Sequence, residues 1–340
     1  MPKARRRPKP QEAMLDHIVG YWVSHMVFVV AKLGIADVLA KGAKTPAAIA
    51  EQVGAHAPFV HRLLRTLASL GMFAETSSGR FRLTPTAATL RTGVPGSLRD
   101  FALMMVDDYN WSAWGGLFHG VQTGGVAFDH VHGQRFFDYL VAHPDQEQRF
   151  AASMASISGA ENGAIARAYP FGRLTRLVDV GGAHGHLLAT ILRRHRKLRG
   201  LLYDQPQVVA GAAGSGFLAG LEDRVEVTAG DFFTSVPAGA DAYIMKYILH
   251  DWDDDRCVRI LSLCRDAMSP GGRVLVVENV LEPGNRPGWG KLLDINMMAL
   301  LTGKERTRTE FHDLFARAGL RLRRVVSTAS PISIVEATAA

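Results

Sequence analysis

The second half of the chain alternates short apolar segments with segments of helical pattern, and this alternation constrains the fold most strongly. Five apolar, mostly β-branched segments predict strands, at residues 176–181, 200–204, 224–228, 241–246 and 273–278. Helical patterns lie between them, the clearest at 186–194 and 255–268. Strands that alternate with helices indicate a doubly wound α/β sheet. We therefore predict one α/β domain over residues 171–340.

The first half has a different pattern, mostly helical with one short hairpin. Thr45-Pro46 is a strong helix start for a helix over 46–53, and a second helix over 57–70 ends at Gly71. Two short extended segments, 72–75 and 81–83, follow around a Ser-Ser-Gly turn. Helix, helix and hairpin in this order predict a winged-helix-like domain over residues 11–95. Residues 96–170 are predicted as a helical linker and substrate lid.

A winged helix serves either DNA binding or protein association. The second helix offers His61, Arg62 and Arg65 as its only basic groups, which is few for a helix that reads the major groove. The net charge of +7 also overstates the basic surface. Five positive charges lie in a segment interrupted by prolines at the start of the chain, Lys3, Arg5, Arg6, Arg7 and Lys9. We therefore predict a disordered tail at 1–10 and a dimerisation domain, with no nucleic-acid partner.

Location is predicted from apolar patterning and cysteine use. The apolar stretch Tyr21–Ala40 is interrupted by Lys32 and Asp37, which favours one buried amphipathic helix over a membrane span or a signal peptide. Cys257 and Cys264 form no Cys-x-x-Cys pair and lie too far apart on one predicted helix for a disulfide. These features predict a cytoplasmic protein without a membrane partner.

Glycines and acids follow successive predicted strands. The segment from Asp179 to Gly185 is a strand end, a glycine-rich turn and a helix start, which lets a ligand approach the backbone. A dinucleotide site has a similar turn. Asp204 ends the second strand and is suited to hold two ribose hydroxyls, for NAD as well as for other cofactors. Asp231-Phe232 follows the third strand, where an acid and a ring suit an adenine base.

Five segments resemble the hallmark sequences of small-molecule O-methyltransferases of the caffeic-acid type, the family of plant phenylpropanoid and bacterial natural-product tailoring enzymes. They are Leu-Val-Asp-Val-Gly-Gly (177–182), Tyr-Asp-Gln-Pro (203–206), Gly-Asp-Phe-Phe (230–233), Met-Lys-Tyr-Ile-Leu-His-Asp-Trp (245–252) and Gly-Lys-Glu-Arg-Thr (303–307). The resemblance spans about residues 12–338. It implies a Rossmann-like methyltransferase sheet behind an N-terminal winged-helix dimerisation domain, and a homodimer.

The resemblance also implies the cofactor, S-adenosylmethionine (SAM), with S-adenosylhomocysteine as its product. By this likeness SAM is bound by Gly181, Asp204, Asp231, Phe232 and Lys246. Ala183 departs from the family, which often has a third glycine there.

The predicted chemistry needs a base. A phenol has a pKa of about 10, so a histidine is suited to remove its proton before the methyl group is transferred. His250 follows the fourth strand at its carboxyl end, where such sheets bind ligands. The family resemblance assigns His250 as general base and Glu278 and Glu305 as its flanking carboxylates. Asp251 is a weaker accessory candidate.

The acids around residue 253 admit a magnesium site, but a helix cap is the simpler interpretation, so we predict metal-independent catalysis. Asn296 and Met297 match a family segment that lines the acceptor pocket, and Trp252 ends the histidine segment. Met105 and Met154, from the helical region, complete the predicted acceptor set. The predicted acceptor is a small hydroxylated aromatic or polyketide-like molecule. Two alternatives stay open, a SAM-binding relative with non-methylating chemistry and a DNA-binding regulator.

Overall fold

The computed structural model describes residues 9–212 and 214–340, which divide into two compact units. The first unit contains Met1–Trp111 and Pro144–Ile157, and the second contains Ser112–His143 and Ser158–Ala340. Most of the predicted basic tail, residues 1–8, lies outside the described residues. Pro10 already belongs to the first helix, as the first-turn proline that helices favour.

The first unit has the predicted succession of helices and a hairpin. Its elements are α1 (Pro10–Ile18), α2 (Gly20–Lys32), α3 (Ile35–Leu39), α4 (Pro46–Val53), α5 (Ala57–Ser69), β1 (Phe73–Glu75), β2 (Phe81–Leu83), α6 (Pro85–Ala88) and α7 (Arg99–Met104). The Thr45 hydroxyl caps α4 by accepting a hydrogen bond from the Ala48 backbone N–H at 3.3 Å. Buried residues from α4, α5 and the hairpin, among them Ile49, Leu64 and Phe73, form its core.

The prediction of one helix over Tyr21–Ala40 is wrong. Gly34 has a φ of +67°, a left-handed conformation that ends α2 and starts α3 in a new direction. Within the described part of the chain, no single helix is long and apolar enough to cross a membrane. Helices α1 and α2 reach that length and apolarity only as a pair bent by 41°.

Five helices follow: α8 (Asp108–Gly115), α9 (Leu117–Thr123), α10 (Ala127–His132), α11 (Phe136–Ala142) and α12 (Pro144–Ala168). The strands of the second unit are β3 (Arg176–Val180), β4 (Arg199–Asp204), β5 (Val225–Ala229), β6 (Ala240–Lys246), β7 (Met268–Glu278), β8 (Val280–Leu281), β9 (Arg306–Thr307), β10 (Leu320–Ser327) and β11 (Ser333–Ala339). Its remaining helices are α13 (His186–Arg194), α14 (Pro206–Ala210), α15 (Asp254–Ala267), α16 (Trp289–Leu300) and α17 (Arg308–Arg317). The five predicted strands are thus confirmed as β3–β7.

Seven strands form the main sheet in the order β10-β11-β7-β6-β3-β4-β5. The five strands from β7 to β5 are parallel, whereas β11 is antiparallel to both β7 and β10. The chain order reverses at β3, which lies between β4 and β6. Open α/β sheets bind ligands beyond the carboxyl ends of the strands at such a reversal. Both β3 and β6 end there, in the glycine turn and at Lys246.

The two faces of the sheet are covered by separate apolar clusters. On one face Val178 and Met245 pack with Ile260 of α15 and Phe311 of α17. On the other face Leu177 and Ile244 belong to a cluster with α13 and the end of α12. Burial on both faces explains why these strands are continuous apolar runs rather than alternating patterns. The fold is the predicted Rossmann-like α/β sheet with a winged-helix-like N-terminal unit.

Candidate active site

The glycine turn after β3 packs tightly against the loops that follow the neighbouring strands. Gly181 has a φ of +68°, and a Cβ at this position would collide with Ile248 Cδ1 and lie 3.6 Å from Phe232 Cε1. A Cβ on Gly182 would lie 2.6 Å from Asp179 Cγ. The two glycines therefore let the turns after β3, β5 and β6 converge at one edge of the sheet.

Asp204 ties the end of β4 to this turn. Its Oδ2 accepts a hydrogen bond from the Ala183 backbone N–H at 2.8 Å, and its Oδ1 accepts one from Gln205 N–H at 2.7 Å. Ala183 has a φ of +48°, unusual for a residue with a side chain. Burial raises the pKa of Asp204. Each carboxylate oxygen still has a lone pair for a ligand hydroxyl, because an ionised carboxylate accepts about four hydrogen bonds.

Asp231 and Phe232 follow β5. The Asp231 Oδ1 accepts a hydrogen bond from the Phe233 backbone N–H at 2.8 Å, which fixes the turn. The Phe232 ring is 9% exposed, and its centroid lies 4.9 Å from the Phe233 ring and 6.5 Å from the Trp252 ring. The structure thus brings Gly181, Asp204, Asp231 and Phe232 to adjacent turns at the same sheet edge.

Lys246, at the end of β6, is paired with two polar side chains of α12 that the sequence patterns did not single out. Its Nζ lies 2.9 Å from Glu161 Oε2 and donates to Asn162 Oδ1 at 3.0 Å. Burial lowers the pKa of Lys246, while the Glu161 carboxylate opposes that change. A mid-helix acid between small and apolar residues, in the segment Ser158–Ile165, was the available signal.

Tyr247 connects this pair to the histidine loop. It has a φ of +56°, and strained backbone of this kind concentrates at functional sites. Its hydroxyl donates to Glu161 Oε1 at 2.9 Å, and its ring stacks on the His250 ring with centroids 5.1 Å apart. Burial and the Glu161 carboxylate raise the pKa of Tyr247, which keeps its hydroxyl a donor.

His250 is 7% exposed and is surrounded by carboxylates. Its Nδ1 lies 2.7 Å from Glu305 Oε1, and its Nε2 lies 3.4 Å from Asp251 Oδ1. Its backbone N–H donates to Glu278 Oε1 at 3.0 Å. Burial by itself would lower the pKa of His250, but Asp251, Glu305 and Glu278 together outweigh burial and raise it to about 9. Burial raises the pKa of Asp251 to about 7, with His250 opposing this.

The two predicted flanking carboxylates contact His250 in different ways. Glu305 meets the imidazole itself, whereas Glu278 accepts the backbone N–H. Glu305 is held in turn by its backbone N–H, which donates to Asp294 Oδ1 of α16 at 2.9 Å. A carboxylate on Nδ1 selects the tautomer whose Nε2 is free to take a proton.

The residues predicted to line the acceptor pocket belong to different elements of the two units. Asn296 Oδ1 accepts a hydrogen bond from the Trp114 indole at 3.1 Å, and Met297 is buried in α16. Trp252 packs beside Phe137 and beside Phe233, which lies in the turn after β5. Met105 and Met154 belong to the first unit, where Met105 Sδ accepts from Asn110 Nδ2 at 3.7 Å. The part of these five residues in acceptor binding stays a prediction.

The acids after Trp252 serve the start of α15. The Asp253 side chain caps the helix by accepting the Arg256 backbone N–H at 2.9 Å, while Asp254 and Asp255 pair with Arg306 and Arg317. No group of three His, Cys, Asp or Glu side chains in the described ranges is placed to hold a metal ion. Metal-independent catalysis stays a prediction.

Comparison with known proteins agrees with this fold. Residues 114–321 match the family model of the O-methyltransferase domain, and residues 15–93 match the O-methyltransferase dimerisation domain. The phenazine O-methyltransferase PhzM of Lysobacter antibioticus is 44% identical over 324 residues, 95% of each chain. The mitomycin biosynthesis 6-O-methyltransferase of Streptomyces lavendulae is 36% identical over 98% of this chain and 96% of its own.

Comparison with a solved structure also supports this fold. CalO1, a methyltransferase in calicheamicin biosynthesis in its S-adenosylhomocysteine-bound form, superposes with a TM-score of 0.88 at 36% identity, covering 99% of this chain and 100% of its own. Fold and site thus define a SAM-dependent methyltransferase. More narrowly, the chain belongs to the O-methyltransferase family, whose domain model matches more than half of its length. The resemblance to the caffeic-acid type is confirmed.

Proposed function

We propose that the chain transfers the methyl group of SAM to a phenolic hydroxyl of a small aromatic or polyketide-like natural product. In this proposal His250 is the general base, and the reaction needs no metal. One observation carries the proposal: His250 is held by Glu305 on Nδ1 and faces three carboxylates at the edge of the sheet where the cofactor turns converge. Relatives named for phenazine and mitomycin substrates support an aromatic acceptor.

The residues at the sheet edge fit the cofactor. Asp204 would hold the ribose hydroxyls, and Asp231 with Phe232 would hold the adenine. Lys246 and Glu161 form a buried pair of opposite charges that suits the carboxylate and ammonium of an amino acid. Two buried polar atoms nearby, Asp179 Oδ2 and Asn162 Nδ2, have no hydrogen-bond partner among the described residues, and a polar ligand would supply one.

When bound, SAM would supply an electrophilic methyl group on a cationic sulfur, and that sulfur would leave as the neutral thioether of S-adenosylhomocysteine. The residues of the chain remove the proton of the acceptor hydroxyl. Glu305 accepts a hydrogen bond from Nδ1–H, so that the lone pair of Nε2 is available to take the proton of the acceptor hydroxyl. With a pKa of about 9, His250 is a stronger base than ordinary imidazole. Its basicity approaches that of a phenolate, whose conjugate acid has a pKa of about 10.

The same carboxylates stabilise the product of that proton transfer. The imidazolium has Glu305 at 2.7 Å on Nδ1 and Asp251 at 3.4 Å from Nε2, within a site that excludes most water. Fixed charges act more strongly in such surroundings than in bulk water. Asp251 therefore belongs to the proposed machinery beside Glu278 and Glu305, as an electrostatic partner of the imidazolium.

Nitrogen methylation is the competing reaction, because one relative, of Streptomyces davaonensis, is named 8-amino-8-demethylriboflavin N,N-dimethyltransferase at 35% identity over 327 residues. The site favours oxygen. An aromatic amine already has an attacking lone pair, whereas a phenol needs the base that His250 provides.

The chain is further proposed to act as a homodimer through its first two helices. They expose large apolar side chains, among them Ile18 at 60%, Trp22 at 54% and Tyr21 at 50%, within the region that matches the dimerisation domain. Exposed apolar patches of this kind mark association surfaces.

The test is methyl transfer from radiolabelled SAM to a panel of hydroxylated phenazines, naphthoic acids and simple phenols, each paired with its amino analogue. We expect label on the hydroxylated members. His250→Ala should bind SAM normally in calorimetry and lose about 10²–10⁴ in rate. Near-normal turnover of His250→Ala would refute the base. Unlabelled products of altered mass would indicate non-methylating chemistry.

A further inference from the structure

Arg306 is a charged side chain that lies entirely inside the protein. It is 0% exposed and is among the largest fully buried side chains, by volume, of the described residues. Burying a guanidinium is costly unless its donors are satisfied and its charge is paired. The neighbourhood of His250 provides both.

The guanidinium donates to two carbonyls of the loop that contains His250 and to one carboxylate at the start of α15. Nη1 donates to the Leu249 carbonyl at 3.0 Å, and Nη2 donates to the Trp252 carbonyl at 3.1 Å. Nη2 and Nε also donate to Asp254 Oδ1 at 2.8 and 3.1 Å. The two carbonyls bracket His250 and Asp251, so one rigid fork fixes the loop on both sides of the proposed base.

The rest of the segment 303–306 contacts the same loop. A Cβ on Gly303 would collide with the His250 carbonyl oxygen, so the two backbones are in direct contact. Glu305 binds the imidazole Nδ1. Arg306 also begins β9, which pairs with β8 next to Glu278. The segment thus holds the histidine loop by backbone contact, by the imidazole and by the guanidinium.

We propose that Arg306 is a positioning residue for methyl transfer: its guanidinium locks residues 249–252 so that His250 Nε2 is held where the acceptor proton is removed. This inference rests on the proposed role of His250 and deepens it. Small displacements of a catalytic group are expensive, since about 1 Å of misplacement costs on the order of a hundredfold in rate. A lysine in place of Arg306 keeps the charge but cannot bind both carbonyls in one plane.

A purely structural role predicts a different outcome from a positioning role, and Arg224 offers a matched control. Its Nη1 donates to the carbonyls of Leu192 and Leu198 at 3.1 and 3.2 Å, so it also binds backbone carbonyls, but at the end of α13. Arg224→Lys should lower the melting temperature without changing kcat. Arg306→Lys should lower kcat about 10–100-fold. Its SAM affinity and KM for the acceptor should stay unchanged.

A double-mutant cycle with His250 gives the second readout. If Arg306 acts through the base, Arg306→Lys should cost no further rate in a His250→Ala background. If Arg306→Lys fails to fold, Asp254→Asn replaces it in the cycle. This substitution weakens the ion pair between the half-exposed Asp254 carboxylate and the guanidinium. It should lower kcat a few-fold and cost no further rate in a His250→Ala background.

The outcomes separate the inference from the proposed function. An additive loss in the cycle, or equal kcat losses in Arg224→Lys and Arg306→Lys per folded molecule, would overturn the positioning role while leaving the base intact. Normal turnover of His250→Ala would overturn both proposals. A loss of rate confined to backgrounds that contain His250 establishes the positioning role.

Discussion

The contact between Glu305 and His250 leads to the most specific prediction for this enzyme. One substitution, Glu305→Gln, tests both the role of His250 as general base and the contribution of Glu305 to its raised pKa. Glu305→Gln keeps the shape of the side chain and removes its charge. The carboxylate accepts from Nδ1 at 2.7 Å and is 1% exposed, so solvent screens the interaction little. The perturbation is therefore local and electrostatic.

The magnitude follows from the strength of this bond. A hydrogen bond to a charged group contributes about 1.5–3 kcal/mol, and each pKa unit corresponds to about 1.36 kcal/mol. The substitution should therefore lower the pKa of His250 by about 1–2 units from its value of about 9. In the proposed mechanism, His250 acts as a base only when its imidazole is neutral. Its raised pKa places the rise in wild-type rate at alkaline pH, and the variant should show that rise at lower pH.

The assay is kcat/KM for the acceptor between pH 6 and 9.5, at saturating SAM, with a phenol of pKa about 10 so that the acceptor itself stays protonated. Cationic SAM shifts both profiles in the same direction, so the difference between them is the informative quantity. The variant should have a lower alkaline plateau, by about tenfold or more, because a weaker base removes the proton less readily. The deficit should shrink toward pH 7, where more of the variant is neutral.

Glu310→Gln is the matched control on the same segment. Glu310 caps α17 through the Thr307 backbone N–H at 2.8 Å and takes no part in the proposed chemistry. It should lower the melting temperature and leave the inflection of the pH profile in place. If folded Glu305→Gln also leaves the inflection in place, the assignment of Glu305 as one source of the raised pKa of His250 is refuted.

Two further predictions concern the cofactor and the oligomer. Asp204→Asn should weaken SAM binding about 10–100-fold in calorimetry and leave kcat at saturating SAM near normal, because ribose contacts bind without taking part in the reaction. Unchanged affinity would contradict the ribose assignment. Ile18→Asp should convert a dimer to a monomer in sedimentation, since it places a charge in an apolar interface. Val227→Asp, on the exposed edge strand β5, is its control, and a dimer that survives Ile18→Asp would exclude α1 from the interface.

Local patterns in the sequence predict most of the order of elements and the strand ends at which the candidate site residues lie. The patterns at β3, β4, β6 and β7 contain continuous apolar runs, because these strands are buried on both faces, and such runs are visible locally. The glycine turn, Asp204, Asp231 and His250 each lie at the carboxyl end of a strand or within four residues after it. Since parallel strands end at one edge, their succession already indicates that they meet there.

The side chains that complete the site are brought to it by packing between elements far apart in the chain. Glu161 and Asn162 reach Lys246 from 85 and 84 positions away, and such a contact depends on how α12 packs against the sheet. Arg306 lies in the segment Gly-Lys-Glu-Arg-Thr, but no local pattern indicates that its charged side chain is fully buried. Its burial depends on carbonyls and an acid more than 50 positions earlier in the chain. Local patterns report secondary structure and strand ends, whereas the surroundings of the proposed base also depend on Glu278 and Glu305, which only the fold brings to His250 and its neighbour Asp251 in a site of low dielectric.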